Sequence, residues 1–124
     1  MIIVDTDILI EILDKRSLLG ETALNKIKES TEPFSITSIT LHELLYGQIK
    51  KSKDTNDVLK LPVLSYTKED AELSASLEAR AESKGRRVSR TDSMIAAIAI
   101  NYGAKLYTNN IKDFRNFEGL ELFS

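Results

Sequence analysis

The chain contains no cysteine, no tryptophan, two prolines, five glycines and one histidine, His42. Without cysteine there can be no disulfide, no thiolate zinc site and no cysteine nucleophile, and the composition is compatible with a reducing, cytoplasmic setting. A lone imidazole gives no partner for a histidine-rich metal site or a Ser-His-Asp relay, so any metal has to be held by oxygen. Neither sign of charge dominates: 17 basic against 19 acidic residues leave a net charge of -2, too balanced for a global field that attracts polyanions. Apolar runs are short as well. The first, Met1 to Val4, stops at Asp5, and none approaches the length that crosses a bilayer, so neither a secretion signal nor a membrane span is expected. No repeat, low-complexity tract or linker divides the sequence.

What the sequence does have is an ordinary globular composition, 42% hydrophobic and 29% charged over 124 residues, which predicts a single domain spanning 1–124. Ile2 to Val4 reads as a strand buried on both faces. Asp7 suits the N-cap of a short helix over Ile8 to Leu13. Glu21 to Ser30 is predicted as helix, broken by Glu32-Pro33, and Phe34 to Thr37 as strand. A helix from Ile39 to about Lys53 carries Leu41, Leu44, Leu45 and Ile49 as one apolar stripe. Leu61 to Tyr66 is predicted as a third strand. Thr67 to Lys84 follows as an alanine-rich helix opened by a Thr67-x-x-Asp70 cap and stopped by Gly85. Ser89 to Tyr102 is a further helix, with strands over Lys105 to Thr108 and Leu120 to Phe123. This alternation implies α/β architecture: a three-layer α/β/α sandwich with a mostly parallel central sheet of four to five strands, whose ligands bind outside the carboxyl ends of the strands.

Several polar residues fall at those ends. Asp7 can serve the helix, which leaves Asp5 as an acid at the mouth of a buried strand, where an unpaired charge is costly and a cation is the usual remedy. Glu43 sits in a Thr40-x-x-Glu43 pattern that resembles a capping box, opposite the leucine stripe; by itself it reads as a solvated first-turn acid. Asp92 shares a face with Val88, Ile95, Ala96 and Ala99 on a largely apolar helix, which argues for a paired or metal-bound carboxylate, with a Ser89-x-x-Asp92 cap as the plainer reading. Asn110 and Asp113 follow the fourth strand in a stretch whose composition also suits a simple turn. His42 reads as a surface or packing histidine. Lys50, Lys51 and Lys53 form one basic cluster. Arg86, Arg87 and Arg90 form another, and because they precede Asp92 they would suit contacts to a polyanion.

The segments Val4-Asp5-Thr6-Asp7, Ser38-Ile39-Thr40-Leu41-His42-Glu43-Leu44-Leu45-Tyr46-Gly47, Asp92-Ser93-Met94-Ile95-Ala96-Ala97 and Tyr107-Thr108-Asn109-Asn110 with Lys112-Asp113-Phe114 resemble, in order and spacing, the successive motifs of the PIN-domain family. Within it they most resemble the VapC-type toxins of prokaryotic toxin-antitoxin pairs. The resemblance implies a PIN-like fold, a ribonuclease that cleaves phosphodiester bonds, Mg2+ or Mn2+ as cofactor, a homodimer and a small cognate antitoxin. It makes Asp5, Glu43 and Asp92 the acidic catalytic and metal residues, with Asn110 in the fourth position and Asp113 beside it.

Crowded carboxylates oppose one another's ionisation until a divalent cation relieves them, and hard oxygen ligands suit Mg2+ or Mn2+. Asp5 and Asp92 are then expected as direct ligands and Glu43 as ligand or water-orienting base. Asn110 or Asp113 gives outer support, and the Thr6 and Thr108 hydroxyls hold carboxylates or waters. Arg86, Arg87 and Arg90 become candidate RNA contacts. Three other readings compete. Asp5-Thr6-Asp7 also resembles the start of haloacid dehalogenase-type phosphatases, but the residues after Asp7 and the lone Asp92 fit them poorly. A phosphoacceptor receiver module should carry an acid after the third strand, where Ser65-Tyr66 stands. A PIN-shaped binding protein, inactive because Asn110 is neutral, remains as the non-enzymatic alternative.

Overall fold

The computed structural model describes all residues, 1–124. Its centre is a five-stranded, all-parallel sheet in the order β3-β2-β1-β4-β5, built from β1 (Ile2–Val4), β2 (Phe34–Thr37), β3 (Val63–Leu64), β4 (Lys105–Tyr107) and β5 (Glu121–Leu122). Every residue of β1 is fully buried, as its unbroken apolar run requires. Alternate residues serve opposite layers. Ile3 and Leu106 pack with Ile95, Ile98, Leu77 and Phe114 on one face; Ile2, Val4, Ile36 and Tyr107 pack with Ile8, Ala23, Ile27 and Leu44 on the other. The expected three-layer α/β sandwich is therefore present.

The first layer is α5 (Lys68–Ser83) against α6 (Arg90–Tyr102). Both caps read from sequence are in place: Thr67 and Asp70 form a reciprocal capping box, and the Ser89 hydroxyl accepts the Asp92 N–H. Gly103, at φ +61, closes α6 in the left-handed conformation that glycine adopts without penalty. The two helices are antiparallel, cross-linked by Asp70 to Asn101, by the Ser74 and Ser93 hydroxyls, and by Glu78 to Arg90. Because α6 leads directly into β4, its first turn, with Asp92, returns to the carboxyl edge of the sheet.

The opposite layer departs most from expectation. The helix placed at Ile8 to Leu13 is a single α-turn, α1 (Thr6–Leu9), running into a π-helical segment, Ile10–Lys15, and its cap is Asp5 rather than Asp7. The π segment ends at Arg16 (φ 48), Ser17 caps α2 (Leu18–Glu29), and α2 comes so close that a Cβ at Gly20 would collide with the Glu11 carbonyl. That tertiary approach leaves no periodic signature. Helix α3 (Ser38–Lys50) is capped by the Thr37 hydroxyl on Thr40 N–H, so Thr40 and Glu43 do not form a capping box. Ile49 is 67% exposed and leaves the stripe, whereas Leu44 is buried. Two short helices, α4 (Asn56–Leu59) and α7 (Ile111–Phe114), were not anticipated; Val58 and Phe114, fully buried, anchor them. The third strand shrinks to two residues.

Candidate active site

The strand order reverses direction at β1: the chain moves outward through β2 and β3, then returns to place β4 and β5 on the other side. The crevice between the carboxyl ends of β1 and β4 is thus the topological switch point where open α/β sheets bind ligands. Asp5 ends β1 there and Thr108 ends β4. The Thr108 hydroxyl donates to Asp5 Oδ2 at 2.8 Å, and Thr6 N–H donates to Oδ1 at 2.9 Å. Asp5 is 6% exposed. Burial first, then the charge of Asp7 and more weakly that of Asp92, push its carboxyl up to about 7, against the two hydrogen bonds that favour the charged form.

Glu43 reaches the same edge from α3. The Thr6 hydroxyl donates to its Oε1 at 2.8 Å and lies 3.1 Å from the buried Thr40 hydroxyl. A first-turn residue of β1's own exit helix therefore holds an acid from another helix, so Glu43, though exposed, is tethered to the edge of β1 rather than serving as a cap. Asp92, half-buried in the first turn of α6, has its carboxyl raised by desolvation and by the charges of Asp113, Glu43 and Asp7, partly offset by Ser89. It stands at the rim rather than deep inside the helix layer. Asn110 is the first-turn cap position of α7; its N–H donates to the Thr108 hydroxyl at 3.0 Å, while its side chain makes no cap bond. Asp113 is exposed on that helix.

The residue missed by sequence reasoning is Asp7. Its Oδ1 accepts Ile8 N–H at 2.8 Å, as a helix-start residue should, but its Oδ2 accepts Asn109 N–H at 3.0 Å, with the Thr108 hydroxyl at 3.4 Å. Nothing local signals a contact made across more than a hundred positions. Arg86 and Arg87 are exposed in the α5–α6 turn, whereas the Arg90 guanidinium grips Glu78 through two bonds of 3.2 and 3.0 Å. His42 lies on the surface with Thr6, Ile10, Glu43 and Tyr46 around a shallow depression.

Asp5, Asp7, Glu43, Asp92 and Asp113 thus act on one another electrostatically, and none has a lysine, arginine or amino-terminal partner; every ion pair in the molecule lies elsewhere. No three of them close into a ready-made ligand cage. An open, all-oxygen acidic edge is what a cation that retains water and shares its shell with a phosphate requires.

The PIN domain profile matches residues 2–120. The chain belongs to the PIN domain family. It is 36% identical over 95 residues to Ribonuclease VapC2 of Rickettsia felis, covering 71% of both chains. It is 31% identical over 100 residues to the tRNA(fMet)-specific endonuclease VapC of Salmonella typhimurium, covering 75% of this chain and 76% of the relative. Among solved structures, VapBC2 from Rickettsia felis, bound to a DNA fragment from its promoter, matches with a TM-score of 0.81 at 28% identity, over 99% of this chain and 98% of that one. A toxin-antitoxin complex from Klebsiella pneumoniae matches with a TM-score of 0.77 at 26% identity, over 97% and 95%. Within the PIN family the chain is of the VapC ribonuclease type, which removes the phosphatase and receiver readings.

Proposed function

We propose that this single domain is a divalent-metal-dependent endoribonuclease, the toxin of a toxin-antitoxin pair, with its active site at the acidic edge between β1 and β4. The observation that carries this reading is the gathering of carboxylates at the switch point with no cationic side chain paired to them, where burial and mutual charge raise the carboxyls of Asp5 and Asp92. Mg2+ or Mn2+ would be held by Asp5 and Asp92, with Glu43 as third ligand or as the base that orients water. When bound, the ion supplies Lewis-acid stabilisation of the phosphate and a more acidic water. The chain's residues do the rest. Thr108 and Thr6 N–H fix both oxygens of Asp5, and Thr6 holds one oxygen of Glu43, leaving the other for the attacking water. Asn110 and Asp113 support the rim, and Arg86, Arg87 and Arg90 flank the entry as phosphate contacts.

RNA is the substrate and a small antitoxin the partner, by likeness to the VapC relatives and the VapBC complexes. Homodimerisation would use the small-residue side of α5, where Ala75 and Ala79 are exposed, since Leu73 and Leu77 pack toward the core. No helix is long and apolar enough to cross a membrane; on this reading the cytoplasmic location follows from the RNA substrate alone.

The test is cleavage of RNA with Mn2+ by the wild type, by Asp92→Asn, and by wild type in EDTA. Loss of about a hundredfold or more in the variant and complete loss in EDTA is expected. Equal cleavage by the variant would assign the activity to a contaminant. The neutral Asn110, whose side chain makes no cap bond, favours one alternative: a PIN-shaped RNA binder, which would retain RNA without yielding product.

A further inference from the structure

Asp7 does more than its place at a helix start requires. The first turn of α1 already has a cap in Asp5, whose Oδ1 takes Thr6 N–H. Asp7 adds a bond to Ile8 N–H, yet directs Oδ2 out of the helix to the exit of β4, where it meets Asn109 N–H at 3.0 Å and the Thr108 hydroxyl at 3.4 Å. A neutral Ser or Asn would cap equally well. Only a carboxylate offers two acceptor oxygens, one for each turn. The receiving turn needs outside restraint. Helix α7 is four residues long, too short to hold itself, and its cap residue Asn110 (φ -90, ψ 52) makes no side-chain cap bond. Besides the Phe114 anchor, what fixes the turn is the chain of bonds from Asp7 to Asn109 N–H and from Thr108 to Asn110 N–H.

We propose that Asp7 is a positioning residue for RNA cleavage, resting on the nuclease reading above: its carboxylate clamps the α1 turn to the β4–α7 turn and so sets where Asn110 and Asp113 stand opposite Asp92. The clamp acts through a hydrogen bond, and the negative charge is incidental to it. Asp7→Asn keeps the size and one acceptor oxygen, enough for Asn109 N–H once the bond to Ile8 is given up, which Asp5 makes dispensable as the cap of α1; Asp7→Ala removes both.

In metal-free, RNA-free protein, Asp7→Ala accelerates amide exchange at Asn109 and Asn110 by about tenfold, and Asp7→Asn leaves it near wild type. With Mn2+ and RNA, kcat falls about a hundredfold in Asp7→Ala with KM within about twofold, and stays within about threefold of wild type in Asp7→Asn. Should the alanine variant melt early, Asp7→Asn decides alone: full loss of kcat there would make Asp7 a charge-dependent ligand and overturn the clamp. Unchanged exchange at Asn109 and Asn110 in a folded Asp7→Ala would overturn it too. A wild-type chain that cuts no RNA overturns the nuclease reading instead, and the exchange measurement still judges the clamp.

Discussion

Two aspartates of almost equal burial sit toward opposite ends of α6, one bonded to Asn101 and the other facing Asp92, and are treated in opposite ways. Asp70, 3% exposed at the start of α5, accepts from Thr67 N–H at 2.9 Å, Thr67 Oγ1 at 3.0 Å and Asn101 Nδ2 at 2.8 Å. Asp5, 6% exposed at the carboxyl edge, accepts two bonds and then faces Asp7 and Asp92. The fold solvates Asp70 completely with its own donors, and that carboxylate staples α5 to α6. At Asp5 it withholds part of that solvation and adds like charge. A buried carboxylate is tolerated when donors meet it; leaving one short fits the proposed function, in which a cation and a phosphate would complete the set.

The comparison breaks most sharply under Asp5→Asn. Activity should fall at least about a hundredfold, while the metal-free fold gains stability at neutral pH and above. The sign follows from linkage. Below the unfolded value of 3.8 both states hold the proton and Asp5 costs nothing; between 3.8 and about 7 the unfolded chain ionises while the folded one does not, so stability falls as pH rises. Above about 7 both are ionised and the whole penalty, at most around 4 kcal/mol, is present. Asp92 is shifted in the same direction and adds to the slope. Thermal melts in EDTA from pH 5 to pH 8, above the range where the ion-paired Glu11, Asp14, Glu32, Glu78 and Glu118 titrate, should therefore decline for wild type and flatten for Asp5→Asn. A wild-type melt that rises through this window would contradict the account. Mn2+ should restore more stability at pH 8 than at pH 5.

Asp70→Ala should do the reverse. It removes the capping box and the tie from α5 to Asn101, whose donors water can then meet, costing about 0.5–2 kcal/mol, with cleavage near wild type. Substantial loss of kcat in a variant still folded at the assay temperature would mean that the α5–α6 staple also sets the position of Asp92.

The same contrast explains what could be read from sequence. Asp70 was legible as a cap because its partner Thr67 lies three residues away, and Ser89 likewise announced the start of α6. Asp5 was legible because a fully buried parallel strand is an unbroken apolar run, and an acid at its end stands out. Glu43 was legible only through the family resemblance, since its contact with the Thr6 hydroxyl spans 37 positions. Asp7 was misread as the cap for the same reason: its bond to Ile8 is local, and its bond to Asn109 spans 102 positions. The π-helical turn at Ile10–Lys15 depends on how closely Gly20 approaches Glu11, and α4 and α7 on single buried anchors, none of which alters local periodicity. Residues in α/β crossovers reveal their faces; those that join two strand ends reveal themselves only when the sheet is assembled.

The smallest expected effect lies on the rim, where solvent screens what burial amplifies at Asp5. Arg90 is exposed, and its guanidinium is committed to Glu78 through a two-pronged contact, so it can reach RNA only by releasing that partner. Glu78→Gln frees it without touching the acidic edge. Tighter RNA binding should appear as a KM lowered about twofold to threefold, with kcat unchanged and a steeper dependence on salt. Arg90→Gln should raise KM and reduce the salt slope by about 1, the signature of one lost phosphate contact. Identical salt slopes for wild type and both variants would remove Arg90 from the RNA path and leave Arg86 and Arg87, which no acid restrains in the same way, as the basic residues before Asp92 that a phosphate could meet.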